Sequence, residues 1–103
     1  MAIGLFVVRA TIAAEQEARF NKWYNEEHVP QVLRYNGAVS ARRYRKLAGE
    51  HKYDYMAVYE FASEEILHRF LRSDALKDLR AEYDKHFGAV SERAGESWVQ
   101  VFP

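Results

Sequence analysis

Apolar residues occupy both parities of Ala2 to Thr11 (AIGLFVVRAT), as in a strand buried on two faces. The period then lengthens to that of a helix. Thr11 is placed to cap a helix from Ile12 to His28, which Pro30 interrupts, and a short continuation from Gln31 to Tyr35 ends at Asn36-Gly37. Ala38 to Lys46 and Lys52 to Ala62 alternate as two strands joined by LAGEH, a short glycine-containing loop with the character of a hairpin. Ser63, followed by Glu64 and Glu65, opens a second helix bearing Ile66, Leu67, Phe70 and Leu71. Asp74 begins a third with Leu76, Leu79, Tyr83 and Phe87 on one stripe. Beyond the Gly88 to Gly95 region, Glu96 to Phe102 (ESWVQVF) reads as a last strand.

The order βαββαβ, unbroken by linker, repeat or low-complexity segment, makes residues 1–103 one domain of the α+β class. The expected architecture is ferredoxin-like, a four-stranded antiparallel sheet with its helices on one face. In YDYMAVYEF, Tyr53, Tyr55, Ala57, Tyr59 and Phe61 share one parity while Met56 and Val58 lie on the other; Ile3, Leu5 and Val7 likewise oppose Phe6 and Val8. Helices can cover only one of these faces. The economical cover for the second is another copy of the same sheet, so a homodimer packed sheet to sheet is expected.

Composition narrows the partners. Fifteen basic residues balance fifteen acidic ones, so no global charge draws the chain to a polyanion or an anionic bilayer. SARRYRK, residues 40 to 46, is a local basic cluster, but strand alternation sends Arg42 and Tyr44 to one face and Arg43 and Arg45 to the other, and nucleic acid is not an expected partner. The chain has no cysteine, which removes disulfides, thiolate ligands and a thiol nucleophile. No segment approaches the ~20 apolar residues of a membrane span, and Ile3 to Val8 is too short for a signal sequence, so a soluble cytoplasmic protein is expected. The four histidines lack His-x-His or His-x3-His spacing, so no metal site and no cofactor is expected. Glycine-rich phosphate loops and nucleophile elbows are also missing from the sequence.

The stretch WYNEEHVP, residues 23 to 30, holds the candidate chemistry. At ~100° per residue, Ala13, Gln16, Trp23, Tyr24 and Glu27 fall within roughly 60° of Phe20, and His28 lies at the edge of that stripe. Lys22, Asn25 and Glu26 point away. Glu27 is thus expected among aromatics, where lost hydration raises a carboxyl pKa unless a cation meets it. Placed near a helix C-terminus, His28 would have its protonated form favoured by the dipole. Such a pair can give and take a proton near neutral pH, with Tyr24 one turn earlier to orient a carbonyl or hydroxyl. Structural roles stand beside these: Glu27 paired with Arg9, Arg42 or Arg43, His28 bonding a carbonyl freed by Pro30, and Phe20, Trp23 and Tyr24 as core. His86 flanks the Leu76 to Phe87 stripe and could face the same cavity, whereas His51 and His68 read as solvated or structural.

The run FNKWYNEEHVPQVLRYNGAVSARRYR, residues 20 to 45, resembles the signature segment of EthD-like proteins of the dimeric α+β barrel superfamily, in which an aromatic-rich helix ends in histidine, a hydrophobic residue and proline. KYDYMAVYEF and the Trp98 strand also sit where that family has strands. The resemblance implies the same fold and dimer, a pocket between helices and sheet, and His28 as the motif histidine. Members of the wider superfamily include cofactor-independent monooxygenases, polyketide cyclases, dehydratases and lactone isomerases acting on small, often aromatic molecules. Asn36-Gly37 replaces the usual proline-glycine, which alters the turn. AIGLFVVRAT lacks the first-strand asparagine of haem-degrading relatives, which argues against haem chemistry.

The resulting expectation is a cofactor-independent enzyme cyclising, dehydrating, isomerising or oxygenating a small hydrophobic or aromatic carbonyl compound. His28 would be the general acid or base, Glu27 its partner or the second acid/base, and Tyr24 the donor to a developing enolate. Phe20, Trp23, Tyr44, Tyr55, Tyr83 and His86 would shape the substrate cavity. A non-catalytic small-ligand-binding dimer and a structural dimerisation module are the alternatives.

Overall fold

A computed structural model describes residues 2–103. Its first strand, β1 (Gly4–Ala10), is central in a four-stranded antiparallel sheet with β2 (Ala38–Arg45), β3 (Tyr55–Phe61) and β4 (Arg93–Val99), in the order β2-β3-β1-β4. Four helical segments cover one face: α1 (Glu17–Trp23), α2 (Val29–Leu33), α3 (Glu64–Leu71) and α4 (Asp74–Phe87). This is the ferredoxin-like arrangement expected from the order of elements. Phe6 and Ala10 of β1 and Ala57, Tyr59 and Phe61 of β3 meet Phe20, Leu67, Phe70 and Phe87 from the helices in one buried cluster. Each fully buried aromatic contributes about 1.5–3 kcal/mol through removal of apolar surface from water.

Ser63 and Ser73 start α3 and α4, their hydroxyls accepting from Ile66 N at 3.2 Å and Leu76 N at 3.1 Å. Thr11 does not cap the first helix. Its hydroxyl accepts from Glu92 N at 2.9 Å, tying the end of β1 to the start of β4, and the helix begins later, in a 3₁₀ turn at Ala14–Gln16. The last strand also begins earlier than its apolar run suggests. Arg93 pairs with Ala10 and Gly95 with Val8, while Val101 and Phe102 lie beyond the strand, exposed. β4 has only one neighbour, so a polar RAGESWV sequence can serve as an edge strand without an apolar alternation to announce it.

Gly37 joins α2 to β2 at φ 105°, a conformation that L side chains rarely adopt, and a Cβ there would stand 2.5 Å from Ile66 Cγ2. Gly37→Ala is therefore expected to destabilise the fold by about 2 kcal/mol or more, read from the urea midpoint at unchanged m-value. A shift of less than about 0.5 kcal/mol would show that the turn relaxes freely.

Candidate active site

The helix that Pro30 was expected to break continues past it. Proline cannot donate to the carbonyl four residues back, and its ring crowds that carbonyl. The chain accommodates this with one wider turn, a π-helical stretch at Tyr24–His28 in which Val29 N–H reaches Tyr24 O, five residues back. The extra residue changes the angular phase. Tyr24 and His28 are both buried, while Asn25, Glu26 and Glu27 all face solvent. The placement of Glu27 inside the aromatic stripe, drawn from a regular 100° step, is thereby corrected: it lies in a shallow surface hollow with Arg19, Lys22 and Glu26.

His28 is 8% exposed, its ring stacked on Trp23 at 4.6 Å and edge-on to Tyr24 at 5.0 Å between centroids. Its Nδ1 is buried and finds no hydrogen-bond partner among the described residues. A helical residue with the chain running on to Leu33 gains nothing from a C-terminal dipole, so the expected support for a protonated ring does not hold. Burial, followed by the positive fields of Arg93 and Arg43, lowers its pKa from 6.5 to about 4. His28 is neutral at pH 7.

That shift makes stability pH-dependent. The unfolded chain takes up a proton on this ring below pH 6.5, whereas the fold resists it until about pH 4. The stabilising preference is intact above pH 6.5 and is lost as pH falls towards 4, on the order of 3 kcal/mol in all. The groups around the ring in that range are Arg43 of β2, Arg93 of β4 and the neutral phenols of Tyr24 and Tyr83. Denaturation of wild type and His28→Gln between pH 4 and 7.5 is expected to diverge over this window, with the variant losing less stability on acidification. Parallel curves would place the ring in a solvated environment.

His28 borders a cavity of about 110 Å³ between helices and sheet, together with Tyr24, Tyr59, Tyr83, Arg80 and Arg93, against an apolar wall that includes Phe6 and Val8. The three phenols differ in availability. Ser91 Oγ donates to Thr11 O at 2.6 Å, so the 2.6 Å contact between Tyr83 Oη and Ser91 Oγ has Tyr83 as donor. Its proton is committed. Tyr59 Oη is buried with no hydrogen-bond partner among the described residues. Burial raises the pKa of both Tyr24 and Tyr59, so each remains a neutral donor. Beneath them the Arg43 guanidinium stacks 4.4 Å from the Tyr24 ring centroid, held at 2.9 Å by the side-chain oxygens of Asn25 and Asn21.

Of the residues singled out from sequence, Tyr24, His28 and Tyr83 meet at this cavity. Phe20 is fully buried behind Tyr24, and Trp23 backs the His28 ring. Tyr55 lies outside the cavity lining, donating to Glu17 Oε2 and accepting from Asn21 Nδ2. Tyr44 pairs with Met56 on the opposite sheet face and is half exposed, so it shapes no part of this cavity. His86 contacts Glu82 at 3.2 Å and flanks Trp23. Tyr59, Arg80 and Arg93 had not been singled out. Strand parity grouped Tyr59 with Ala57 and Phe61 without saying which face meets the helices, and Arg93 lies in the Gly88 to Gly95 region ahead of the expected last strand.

A family model described as a domain of unknown function (DUF4286) matches residues 3–92. No curated protein matches the chain. Among solved structures, an ethyl tert-butyl ether D (EthD) family protein from Bacillus halodurans C-125 aligns with TM-score 0.66 and 20% identity, over 93% of this chain and 97% of that one. SnoaB from Streptomyces nogalater, described as a cofactor-independent oxygenase, aligns as a mutant with TM-score 0.59 and 18% identity over 98% and 95%. A protein from Bacteroides fragilis NCTC 9343, described as dimeric with a ferredoxin-like fold and of unknown function, gives TM-score 0.63 at 8% identity over 94% of each chain. The EthD resemblance read from residues 20 to 45 thus has its counterpart in the fold.

Proposed function

For this chain, which belongs to the DUF4286 family, we propose cofactor-independent acid/base chemistry on a small hydrophobic or aromatic carbonyl compound held between helices and sheet. The observation that carries the reading is the buried His28 ring, lining one cavity with Tyr24 and Tyr59, where both His28 Nδ1 and Tyr59 Oη lie buried without a hydrogen-bond partner among the described residues. Leaving a buried polar group unsatisfied costs about 1–3 kcal/mol, and two such groups beside one cavity call for a role that offsets the cost. Neutral His28 accepts a proton from the carbon next to the substrate carbonyl. The electron pair of that C–H bond moves to the carbonyl oxygen, and the resulting enolate accepts hydrogen bonds from Tyr24 and Tyr59. In a β,γ-unsaturated substrate the imidazolium returns the proton to the γ-carbon, giving isomerisation; in a β-hydroxy substrate the enolate pair forms the Cα–Cβ double bond as the carbonyl is restored, and the hydroxyl leaves with the imidazolium proton as water, giving dehydration. The fold of a cofactor-independent oxygenase such as SnoaB lends the reading general support.

A pKa of about 4 makes free His28 a weak base and favours a second reading, a non-catalytic binder with the same cavity. Negative charge developing on the substrate would stabilise imidazolium during proton transfer and offset that weakness. Solvent deuterium exchange at the α-carbon of small aryl ketones, followed by NMR with wild type and His28→Gln, separates the two readings. Enzyme-dependent exchange lost in the variant supports catalysis, whereas binding without exchange supports the binder.

The working unit in this proposal is a homodimer joined through the open sheet face. Leu5, Val7, Met56 and Val58 form its apolar centre, the exposed Trp98 and Tyr44 lie further out, and Arg9 meets Glu96 at 3.2 Å on the same face.

A further inference from the structure

Two arginines border the His28 cavity and no carboxylate does: Arg80 comes from α4 and Arg93 from β4. Arg93 has one acidic neighbour, Asp84 at 3.0 Å, whose side chain is 65% exposed and therefore screened by water. Arg80 has no ion pair among the described residues. Arg43, behind the tyrosines, is held by the neutral amides of Asn21 and Asn25, so its charge is also uncompensated. Tyr24, Tyr59 and His28 bring polar atoms to the interior without negative charge. The cleft, about 110 Å³ and open on one side, has room for a single ring.

Resting on the reading of this cavity as a substrate site, we infer that it selects small planar aromatic molecules bearing a carboxylate, with the anionic group at Arg93 and Arg80 and the ring against Phe6 and Val8. A guanidinium at the mouth of an apolar cleft meets a carboxylate with two parallel hydrogen bonds. A neutral amide of the same shape can use only part of that geometry, and none of the charge. Salicylate and salicylamide make such a pair, since they match in ring and hydroxyl and differ in charge.

Both are titrated into the full chain at pH 6.5 and low salt, with binding followed by NMR at the His28 ring, which His28→Gln assigns. Salicylate is expected to bind at least tenfold more tightly than salicylamide, and Arg93→Gln and Arg80→Gln are each expected to reduce that ratio, to threefold or less in the double variant. Arg80 is exposed, so its single variant gives the answer even if loss of Arg93 disturbs the Tyr83 contact. Equal affinity for the two compounds overturns the anionic preference and leaves a ligand cavity standing. An unchanged ratio in both single variants and the double variant also overturns it. No shift at His28 with either compound at millimolar concentration removes the cavity as a substrate site, and this inference with it.

Discussion

Replacement of His28 by glutamine is expected to lower turnover of the natural substrate by ~10²-fold or more while leaving a folded protein, the usual scale for loss of a general acid/base. Glutamine retains most of the side-chain volume against Trp23 and a polar end at the cavity, but it has no basic nitrogen at neutral pH. The stability change at pH 7 is expected to stay within about 1.5 kcal/mol, because what is lost is a stacked ring and not a hydrogen bond. A structural histidine predicts the reverse, clear unfolding with near-normal kcat/KM in the protein that remains folded. Tyr59→Phe provides a graded comparison. It deletes one partnerless hydroxyl, so it should leave stability unchanged or raised, while weakening stabilisation of an enolate. Full activity in both variants would remove proton transfer at this cavity from consideration.

The fold was legible because its signals are local or periodic. Ser63 before Glu64-Glu65, Asn36-Gly37 after a short apolar run, and the parity of YDYMAVYEF each specify an element through nearest neighbours. The site was legible only as far as the helix kept a regular period. Tyr24 and His28 are four apart and share a face in either helix type, so both reach the cavity; Glu27 depended on an unbroken α-helical step, which Pro30 and the π turn remove. Arg93 was hidden for a different reason. It belongs to an edge strand whose register is set by pairing with β1 eighty-odd residues away, and no pattern within RAGESWV reports that pairing. The depressed basicity of His28 likewise comes first from burial in the folded core and then from Arg93 and Arg43, neither adjacent to it in sequence.

The open sheet face leads to the second large effect. Val58 lies in β3 between Val7 of β1 and Arg42 of β2, near the middle of the apolar patch. In a two-fold interface each residue recurs on both partners, so a charge introduced near the axis faces its own copy. Val58→Lys is expected to raise the dimer dissociation constant by 10³-fold or more, since like charges brought together out of water cost several kcal/mol. Sedimentation velocity at micromolar concentration should show a dimer for wild type, consistent with more than ~1,200 Å² of buried surface in total, and a monomer for the variant. Val58 belongs to the parity that faces away from the helices, so the His28 cavity should survive and still take up small aromatic ligands. A wild-type monomer at that concentration would dispose of the sheet-to-sheet dimer. A dimer that persists in Val58→Lys would move the interface to another surface and leave the half-buried Leu5 and Met56 and the exposed Trp98 without a partner.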